Sequence, residues 1–374
     1  MNILIAPNSF KEVADSDKVA ELFKMYLQKY TSCKIELSPV SDGGDGFLNI
    51  CTKFFNLQQF NYDITTPYDE STISCPIGYD NERKRLFIES ARVLGLRVIP
   101  KERRHPLNLS SKGLGDLLLL VIDDINRERF NVEEIFIGVG GTGTNDLGLG
   151  MCSRFGLELF DIYGERDNVL PEFYYRIKEI KWNKPELQFK LNAIVDVINP
   201  LLGGKGATKR FGSQKGADKG ELQVLELGFN KIINILKNKK LDKSFNDLLG
   251  AGGGLAAGLY LFFDASMISA ENFIRDTLRL SEYIDKNDII ITGEGNFDEQ
   301  SLDGKGAGIV LNLATDKNKK VFLCCGKIDD RLKKRLGTGV EIVEMISFFK
   351  DAEESMKNFE KGIELSSRMI ASLI

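Results

Sequence analysis

The pattern of apolar and polar positions predicts alternating strands and helices at the start of the chain. Asn2–Ala6 and Lys34–Val40 are short apolar runs of the kind that form buried strands. Asp15–Tyr30 and Phe47–Phe55 instead repeat apolar residues at the spacing of an amphipathic helix. The first 55 residues are therefore predicted to fold as two strand–helix pairs.

The same alternation returns near the C-terminus. Asp288–Thr292, Lys320–Cys325 and Val340–Ile346 are predicted strands, and Asp351–Leu373 is predicted as one long helix. Strands that alternate with helices pair in parallel, because each helix returns the chain to the same end of the sheet. The five strands at the two ends of the chain therefore predict one flavodoxin-like parallel sheet.

The middle of the chain has strands and helices of its own, which indicates a second α/β domain inserted into the first. Its predicted strands are Ile73–Pro76, Leu86–Glu89, Glu134–Val139 and Leu191–Val197, and its predicted helices are Gly113–Asn126, Gly220–Asn238 and Gly250–Asp264. We thus predict an α/β protein of two α/β domains. Residues 1–60 with 286–374 form the flavodoxin-like domain, residues 61–285 form the inserted domain, and the active site lies in the cleft between them.

Composition excludes several classes of protein. The 374 residues are 43% hydrophobic and 28% charged, as in a soluble globular chain, and the formal net charge is −4. Nucleic acid is not an expected partner, because binding its phosphates requires a basic excess. The longest uncharged stretch, Leu248–Phe263, has 16 residues, whereas crossing a bilayer takes roughly 20. We expect no membrane partner.

The histidine and cysteine content narrows the chemistry further. His105 is the single histidine, which excludes sites that need several, such as an HExxH metal helix. The six cysteines form no CxxC pair, so a structural zinc site is not expected. Scattered thiols are typical of a reducing compartment, and we expect a cytoplasmic protein.

Polar loops follow the predicted strands of the flavodoxin-like domain. Loops at the carboxyl ends of parallel strands converge on one edge of a sheet, where ligands bind. These loops, at 7–11, 41–46, 293–298 and 326–327, carry the charged residues Lys11, Asp42, Asp45, Glu294, Asp298 and Lys327. The number of charges predicts a functional site at this edge.

Two glycine-rich loops follow strands of the inserted domain, at 138–146 and 196–204. A glycine-dense loop leaves backbone N–H groups free to surround an anion, and Thr142 and Thr144 add hydroxyl donors. Lys205, Arg210 and Lys215 follow closely in the sequence. The first loop is therefore predicted to bind phosphate.

Two nucleotide-binding motifs are alternatives to this interpretation. Gly138, Gly140 and Gly143 match GxGxxG, and Asp161 lies near the spacing of a ribose-binding acid. Polar residues and further glycines interrupt the helix start that a dinucleotide fold requires, so an NAD-dependent oxidoreductase is the less favoured alternative. The pattern GxxxxGK[ST] does not occur, which excludes a P-loop fold.

Eight ordered blocks along the chain resemble the bacterial glycerate kinase family, the glycerate 2-kinase type of the glyoxylate and glucarate pathways. They are APNSFK (6–11), PVSDGGDG (39–46), SSKGLGD (110–116), IGVGGTGTND (137–146), DVINPLLG (196–203), FGSQKGA (211–217), GAGGGL (250–255) and TGEGNFDEQS (292–301). The resemblance implies two α/β domains and ATP-dependent phosphorylation of D-glycerate with Mg²⁺. The implied product is 2-phosphoglycerate, with 3-phosphoglycerate as the older assignment.

Phosphoryl transfer needs positioning, charge stabilisation and a carboxylate for the attacking hydroxyl. Asp42 and Asp196 are both candidates for this base, and Glu294 and Asp298 are candidates for Mg²⁺. Lys11 and Lys215 are expected to neutralise phosphate or the glycerate carboxylate, Lys11 as a catalytic residue. The expected substrate- or nucleotide-binding residues are Ser9, Gly43, Gly44, Gly140, Gly141, Thr142, Thr144, Asn145, Asp146, Asn199, Lys215, Gly293, Gly295, Gln300 and Lys305.

The chain departs from the family pattern at four positions. Asn8 replaces an acid, Asn296 an arginine, Asp303 a histidine and Lys327 a serine. These changes redistribute charge at the predicted site, so a noncatalytic or altered-specificity relative that binds a sugar acid or a nucleotide is a second alternative. The expected partner is the small-molecule substrate, and the oligomeric state, including a homodimer, is left open.

Overall fold

The structure is a computed structural model, and it describes residues 1–10, 13–196, 199–204, 206–239, 243–245, 248–302, 304–337 and 339–374. Its strands are β1 (Asn2–Ile5), β2 (Lys34–Leu37), β3 (Gln58–Thr65), β4 (Thr72–Asp80), β5 (Arg85–Glu89), β6 (Glu134–Gly138), β7 (Glu158–Asp161), β8 (Arg166–Asp167), β9 (Ile177–Lys181), β10 (Lys190–Val195), β11 (Ser266–Ser269), β12 (Ile289–Thr292), β13 (Asn296–Phe297), β14 (Lys320–Cys325), β15 (Lys327–Ile328) and β16 (Val340–Glu344).

The helices lie between these strands and at the C-terminus. They are α1 (Ser16–Leu27), α2 (Phe47–Phe55), α3 (Ala91–Leu94), α4 (Lys112–Asn126), α5 (Leu149–Arg154), α6 (Ala207–Phe211), α7 (Lys219–Asn238), α8 (Leu255–Phe263), α9 (Ala270–Asn272), α10 (Leu280–Lys286), α11 (Glu299–Leu302), α12 (Gly306–Asp316), α13 (Asp330–Lys333), α14 (Ala352–Lys357) and α15 (Phe359–Leu373). None of these described helices is long and apolar enough to cross a lipid bilayer.

The chain divides into two compact units. Unit 1 comprises Met1–Asp42 with Ser269–Ile374, and unit 2 comprises Gly43–Ile268. These divisions fall earlier in the chain than the predicted domain boundaries at 60 and 286, so α2 belongs to unit 2. Its first-turn amides explain this, because the N–H groups of Gly46 and Leu48 donate to the carboxylate of Glu89 in the same unit, at 3.1 and 2.9 Å.

A five-stranded parallel sheet forms the centre of unit 1, in the order β16-β14-β12-β1-β2. Counted along unit 1 alone, this is the strand order 5-4-3-1-2 of a flavodoxin-like fold, as predicted. Ile3 aligns with Ile289 on one side and Ile35 on the other. The apolar runs of β1, β12 and β14 are buried because helices cover both faces of such a sheet.

The predicted helix Asp351–Leu373 is instead two helices, α14 and α15, which meet at Asn358. The Asn358 side chain donates through Nδ2 to the carbonyl oxygen of Glu354 at 3.0 Å, and its backbone leaves helical geometry at ψ 34°. Asparagine competes for backbone hydrogen bonds in this way, which is why it disfavours helix interiors. The prediction of one continuous helix was wrong at this residue.

Unit 2 contains a six-stranded mixed sheet in the order β11-β10-β6-β5-β4-β3. Strands β5, β6 and β10 run parallel, whereas β3 and β4 add an antiparallel ribbon at one edge. A separate three-stranded antiparallel sheet has the order β8-β7-β9. The sequence pattern did not predict β3 or this small sheet, since β3 is an edge strand whose first six residues are not buried.

The predicted helix Gly250–Asp264 is shorter in the structure, where α8 begins at Leu255. Gly252, Gly253 and Gly254 have φ angles of 65°, 67° and 87°, a left-handed conformation that favours glycine. They form a loop that leads into α8, and this loop contributes to the site described next.

Candidate active site

The loops after β1 and β12 meet at the carboxyl edge of the unit 1 sheet, where the strand order reverses. The N–H of Asn8 donates to the carbonyl oxygen of Gly293 at 2.9 Å. A Cβ at position 293 would lie 1.5 Å from the Cys324 carbonyl oxygen, so only glycine fits there. We call residues 7–10, 38–42, 293–301 and 305–306 the unit 1 loop cluster.

Asn8 and Asp42 form a hydrogen-bonded pair in this cluster. Asn8 Oδ1 accepts from the N–H of Ser9 at 2.9 Å, which turns Nδ2 toward Asp42 Oδ2 at 3.2 Å. The backbone of Gly306 at the start of α12 packs against the same amide, because a Cβ there would lie 2.9 Å from Asn8 Cγ. The Asp42 carboxylate is half-buried and accepts from a neutral donor.

Asp298 uses both carboxylate oxygens to hold the loop before α11. Oδ1 accepts from the N–H of Gln300 at 2.8 Å, and Oδ2 accepts from Nδ2 of Asn296 at 3.2 Å. Lys305 Nζ in turn donates to Gln300 Oε1 at 3.2 Å. Ser9, Gly293, Gly295, Gln300 and Lys305 thus all lie in the segments that make up the unit 1 loop cluster.

Glu294 is the second carboxylate predicted to hold metal, and it is buried. Within the described ranges, no group of three or more histidine, cysteine, aspartate or glutamate side chains could hold a metal ion. Two carboxylates still fit Mg²⁺ in a kinase, since this ion takes one or two carboxylates together with substrate phosphates and waters.

Some of the predicted residues add little to the description of this site. Lys11 and the departure Asp303 lie outside the described residues. Two other departures, Asn296 and Lys327, are aligned partners in the short parallel ribbon of β13 and β15, and both are exposed. The changes at 296 and 327 therefore alter one surface together.

In unit 2, the glycine loop after β6 packs against the loop that precedes α2. The N–H of Gly140 donates to the Gly43 carbonyl oxygen at 2.9 Å. A Cβ at position 140 would lie 2.7 Å from Gly44 Cα, so the two backbones touch. Gly43, Gly44, Gly140 and Gly141 are thus brought together. We call residues 43–46, 89–91, 138–148 and 250–254, with Lys215, the unit 2 loop cluster.

The buried side chain of Asp146 holds the end of the glycine-rich loop that follows β6. Its side chain is buried, and its oxygens accept from the N–H and hydroxyl of Ser111, each at 2.7 Å, and from the N–H groups of Gly148 and Gly150, each at 3.1 Å. Burial raises the pKa of Asp146, and these donors oppose the rise. Asp146 therefore orders the loop through its own hydrogen bonds.

Lys215 is a buried cation against the same loop, with 6% of its surface exposed. Its Nζ donates to the Thr144 carbonyl oxygen at 2.7 Å and to Asn145 Oδ1 at 2.9 Å. Burial lowers the pKa of Lys215 to about 7, against the attraction of the Asp146 charge. Both bonds go to neutral acceptors of the protein.

Four buried polar atoms in the unit 2 loop cluster find no hydrogen-bond partner among the described residues. They are Ser90 Oγ, Thr142 Oγ1, Thr144 Oγ1 and Asn145 Nδ2. An unsatisfied buried polar group costs about 1–3 kcal/mol, and such groups are rare in folded proteins. Their concentration in one loop cluster makes it a candidate binding site for a ligand that supplies acceptors.

Two residues of the unit 2 loop cluster were not predicted from the sequence. Glu89 ends the strand predicted at Leu86–Glu89, Ser90 directly follows it, and this strand runs parallel to β6. Because the ends of neighbouring parallel strands lie at one edge, the strand prediction contained the signal that would have found both residues.

The remaining predicted residues lie at the ends of other strands. Asp196 follows β10 and is half-buried, and the Asn199 carbonyl oxygen accepts from the N–H of Gly250 at 2.8 Å. Asp161 lies in the β7–β8 hairpin, where its Oδ1 accepts from the N–H groups of Tyr163 and Glu165 at 2.8 and 3.0 Å. These bonds make Asp161 a turn residue, which removes the ribose-binding acid from the NAD alternative.

Comparison with known proteins identifies the family. The sequence profile of the glycerate kinase family matches residues 3–374. The chain belongs to the glycerate kinase family. The chain is 31% identical over 377 residues to a glycerate kinase of Halalkalibacterium halodurans, covering 99% of this chain and 97% of that protein. It is 30% identical over 381 residues to glycerate 2-kinase of Escherichia coli K12, covering 100% and 98%.

A solved structure from this family agrees with the fold. The crystal structure of a Salmonella typhimurium LT2 protein assigned as a glycerate kinase 2 aligns with a TM-score of 0.75 at 27% identity, covering 100% of this chain and 98% of that one. The prediction of a kinase is confirmed, and the glycerate kinase family provides the frame for the chemistry below.

Proposed function

We propose that the chain transfers the γ-phosphoryl group of ATP to a hydroxyl group of D-glycerate, with 2-phosphoglycerate as the product. The observation that carries this proposal is the unit 2 loop cluster, where buried hydroxyl groups and one side-chain amide NH₂ have no hydrogen-bond partner among the described residues. Phosphate and carboxylate oxygens are strong hydrogen-bond acceptors. Uncharged donors that are held in place stabilise the negative charge of these oxygens without a mobile cation.

The reaction needs a proton acceptor for the attacking hydroxyl. In the proposed step, the glycerate oxygen bonds to the γ-phosphorus as the bond to the β–γ bridging oxygen breaks, and ADP leaves. The hydroxyl proton passes to a carboxylate. Asp42 is our first candidate for it, because the Asn8 amide holds one of its oxygens at 3.2 Å and fixes the carboxylate plane. Asp196 is the second candidate.

Mg²⁺ is the proposed cofactor, with Glu294 and Asp298 as the residues that would hold it, directly or through water. When bound, the ion would neutralise charge on the phosphates. The carboxylate of Asp298 is held in one orientation, because its oxygens accept hydrogen bonds from Gln300 and Asn296. A carboxylate oriented in this way is suited to binding the ion. Lys11 remains a proposed catalytic residue by the family resemblance.

The first experiment is a coupled ADP-release assay with ATP, Mg²⁺ and D-glycerate on the wild type and Asp42→Asn. We expect wild-type turnover and a loss of about 10²–10⁴-fold in kcat for the variant, the range of a general base. Asp316→Asn, an exposed aspartate on α12, is the matched control and should keep full activity. An active Asp42→Asn with an inactive Asp196→Asn would transfer the role to Asp196.

The product position is a separate question. Proton and phosphorus NMR of the reaction mixture distinguishes 2-phosphoglycerate from 3-phosphoglycerate, and we expect the former. A folded wild type without turnover on D-glycerate would refute the proposal and favour the altered-specificity alternative, which a panel of other hydroxy acids would then test.

We also propose a cellular setting for the protein. All six cysteines are free thiols, which accords with a cytoplasmic protein. The position of the active site in a cleft between the domains, and a homodimer as the oligomeric form, stay predictions.

A further inference from the structure

We infer that Lys215 is a positioning residue, which turns the amide of Asn145 so that its Nδ2 donates to an anionic oxygen of the bound substrate. This inference rests on the proposed function. It gives different roles to Lys215 and Asn145, which the sequence analysis predicted together as substrate- or nucleotide-binding residues. Lys215 is given no contact with substrate, whereas Asn145 makes one.

The orientation of the Asn145 amide follows from elementary chemistry. The ammonium group of lysine only donates and an amide NH₂ cannot accept, so the atom that faces the Lys215 ammonium at 2.9 Å is Oδ1. The opposite atom, Nδ2, therefore points away from the lysine. It is buried and has no partner among the described residues.

The surroundings leave Lys215 no room to serve as a flexible substrate clamp. Its Nζ also donates to the Thr144 carbonyl oxygen at 2.7 Å. On the other side, a Cβ at Gly253 would lie 2.8 Å from Nζ and 2.2 Å from Asn145 Oδ1. The loop of left-handed glycines thus closes over the lysine and the amide together, and both are fixed before substrate arrives.

The result is a donor set without charge. Asn145 Nδ2 lies next in sequence to the unpartnered Thr144 hydroxyl, and Thr142 adds another. Either ATP phosphates or the glycerate carboxylate could supply the acceptor oxygens. Separate binding measurements with ATP and with D-glycerate, each on the full chain, identify which of the two is held.

The sharpest test is Asn145→Asp. Aspartate has the same shape and keeps an oxygen against Lys215, so the variant should unfold at a temperature equal to or above that of the wild type. It replaces the free donor by an acceptor, so affinity for the substrate held there should fall by about tenfold or more, the consequence of losing one charge-assisted hydrogen bond and facing like charge. Wild-type affinity in a folded Asn145→Asp would overturn the inference.

The role of Lys215 is tested by a double-mutant cycle. Lys215→Met and Asn145→Ala should each weaken binding of the same substrate, and the double variant should bind no worse than Asn145→Ala, because the lysine acts through the asparagine. Losses that multiply would show that Lys215 contacts substrate and would overturn the positioning role. Lys219→Met, on an exposed lysine at the start of α7, is the control and should change nothing.

The same cycle measured by thermal unfolding without substrate separates this inference from the proposed function. A coupled loss of stability for Lys215→Met and Asn145→Ala supports the contact between them, and independent losses contradict it, whatever the enzyme phosphorylates. A wild type that folds but has no turnover would refute the proposed function alone, since this unfolding result does not depend on turnover.

Discussion

The two loop clusters each lie at the edge of a sheet, but they differ in how their polar side chains are hydrogen-bonded. In the unit 1 loop cluster, Asn8, Asp298 and Gln300 have hydrogen-bond partners within the cluster. In the unit 2 loop cluster, the hydroxyls of Thr142 and Thr144 are buried without one among the described residues. The unit 1 loop cluster also holds a buried hydroxyl of this kind, Ser41 Oγ, but the unit 2 loop cluster concentrates four such atoms, which we propose are met by a ligand.

This difference indicates how stability and function are divided. A satisfied polar network contributes to folding and holds its carboxylates in fixed directions. Buried polar groups without partners lower the stability of the free protein. The same groups contribute more to the free energy of ligand binding, because they have already been removed from water in the folded protein. Removing a partnered side chain of the first cluster should therefore destabilise the free protein, whereas removing an unpartnered hydroxyl of the second should stabilise it.

The largest expected effect tests the buried cation of unit 2. The folded pKa of Lys215 is lowered to about 7, below its unfolded value, so the unfolded chain holds more protons between about pH 7 and 10.5. The free energy of unfolding therefore rises with pH across this window, by up to about 1.4 kcal/mol per pH unit. Urea unfolding at pH 7.5 and 9 should show a gain of about 2 kcal/mol for the wild type relative to Lys215→Met.

Below about pH 7 this difference between wild type and Lys215→Met should no longer change with pH. Lys219→Met should follow the wild type throughout. Parallel pH dependence of the wild type and Lys215→Met would mean that Lys215 titrates as an ordinary lysine.

A smaller effect is expected from Asn8→Ala in unit 1. The variant removes the acceptor for the Ser9 N–H and the donor to Asp42. The loss of two partly buried hydrogen bonds should lower the free energy of unfolding by about 1–2 kcal/mol, measured by urea denaturation. Asn312→Ala, on an exposed position of α12, should have no such effect. An unchanged stability of Asn8→Ala would remove the contrast between the clusters.

The smallest effect, and the one with the opposite sign, is expected from Thr144→Val in unit 2. Valine keeps the shape and removes a buried hydroxyl without a described partner. The free protein should gain about 1 kcal/mol in stability, while affinity for ATP or D-glycerate falls. Thr315→Val in unit 1 is the matched control, because its hydroxyl donates to backbone carbonyls and its removal should give no gain. A destabilised Thr144→Val would indicate a partner for that hydroxyl.

Much of the fold was predictable from local pattern. The apolar runs of β1, β12 and β14 and the amphipathic spacing of α1 and α2 lie where predicted, because burial on both faces and the helical period leave direct traces in sequence. The start of α8 was misplaced, since small residues at 252–254 are compatible with a helix until their left-handed φ angles are known. Edge strands such as β3 carry too little apolar signal.

The sequence by itself determined the flavodoxin-like sheet, the strand-end loops and the residue types that serve phosphoryl transfer, because periodicity, glycine content and charge are local properties. Only the tertiary structure decided which polar atoms are already satisfied. That Lys215 bonds to Asn145, 70 residues away, or that Glu89 caps α2, depends on contacts between distant segments. Hydrogen bonds of this kind need both partners within about 3 Å, and spacing along the chain does not encode such proximity.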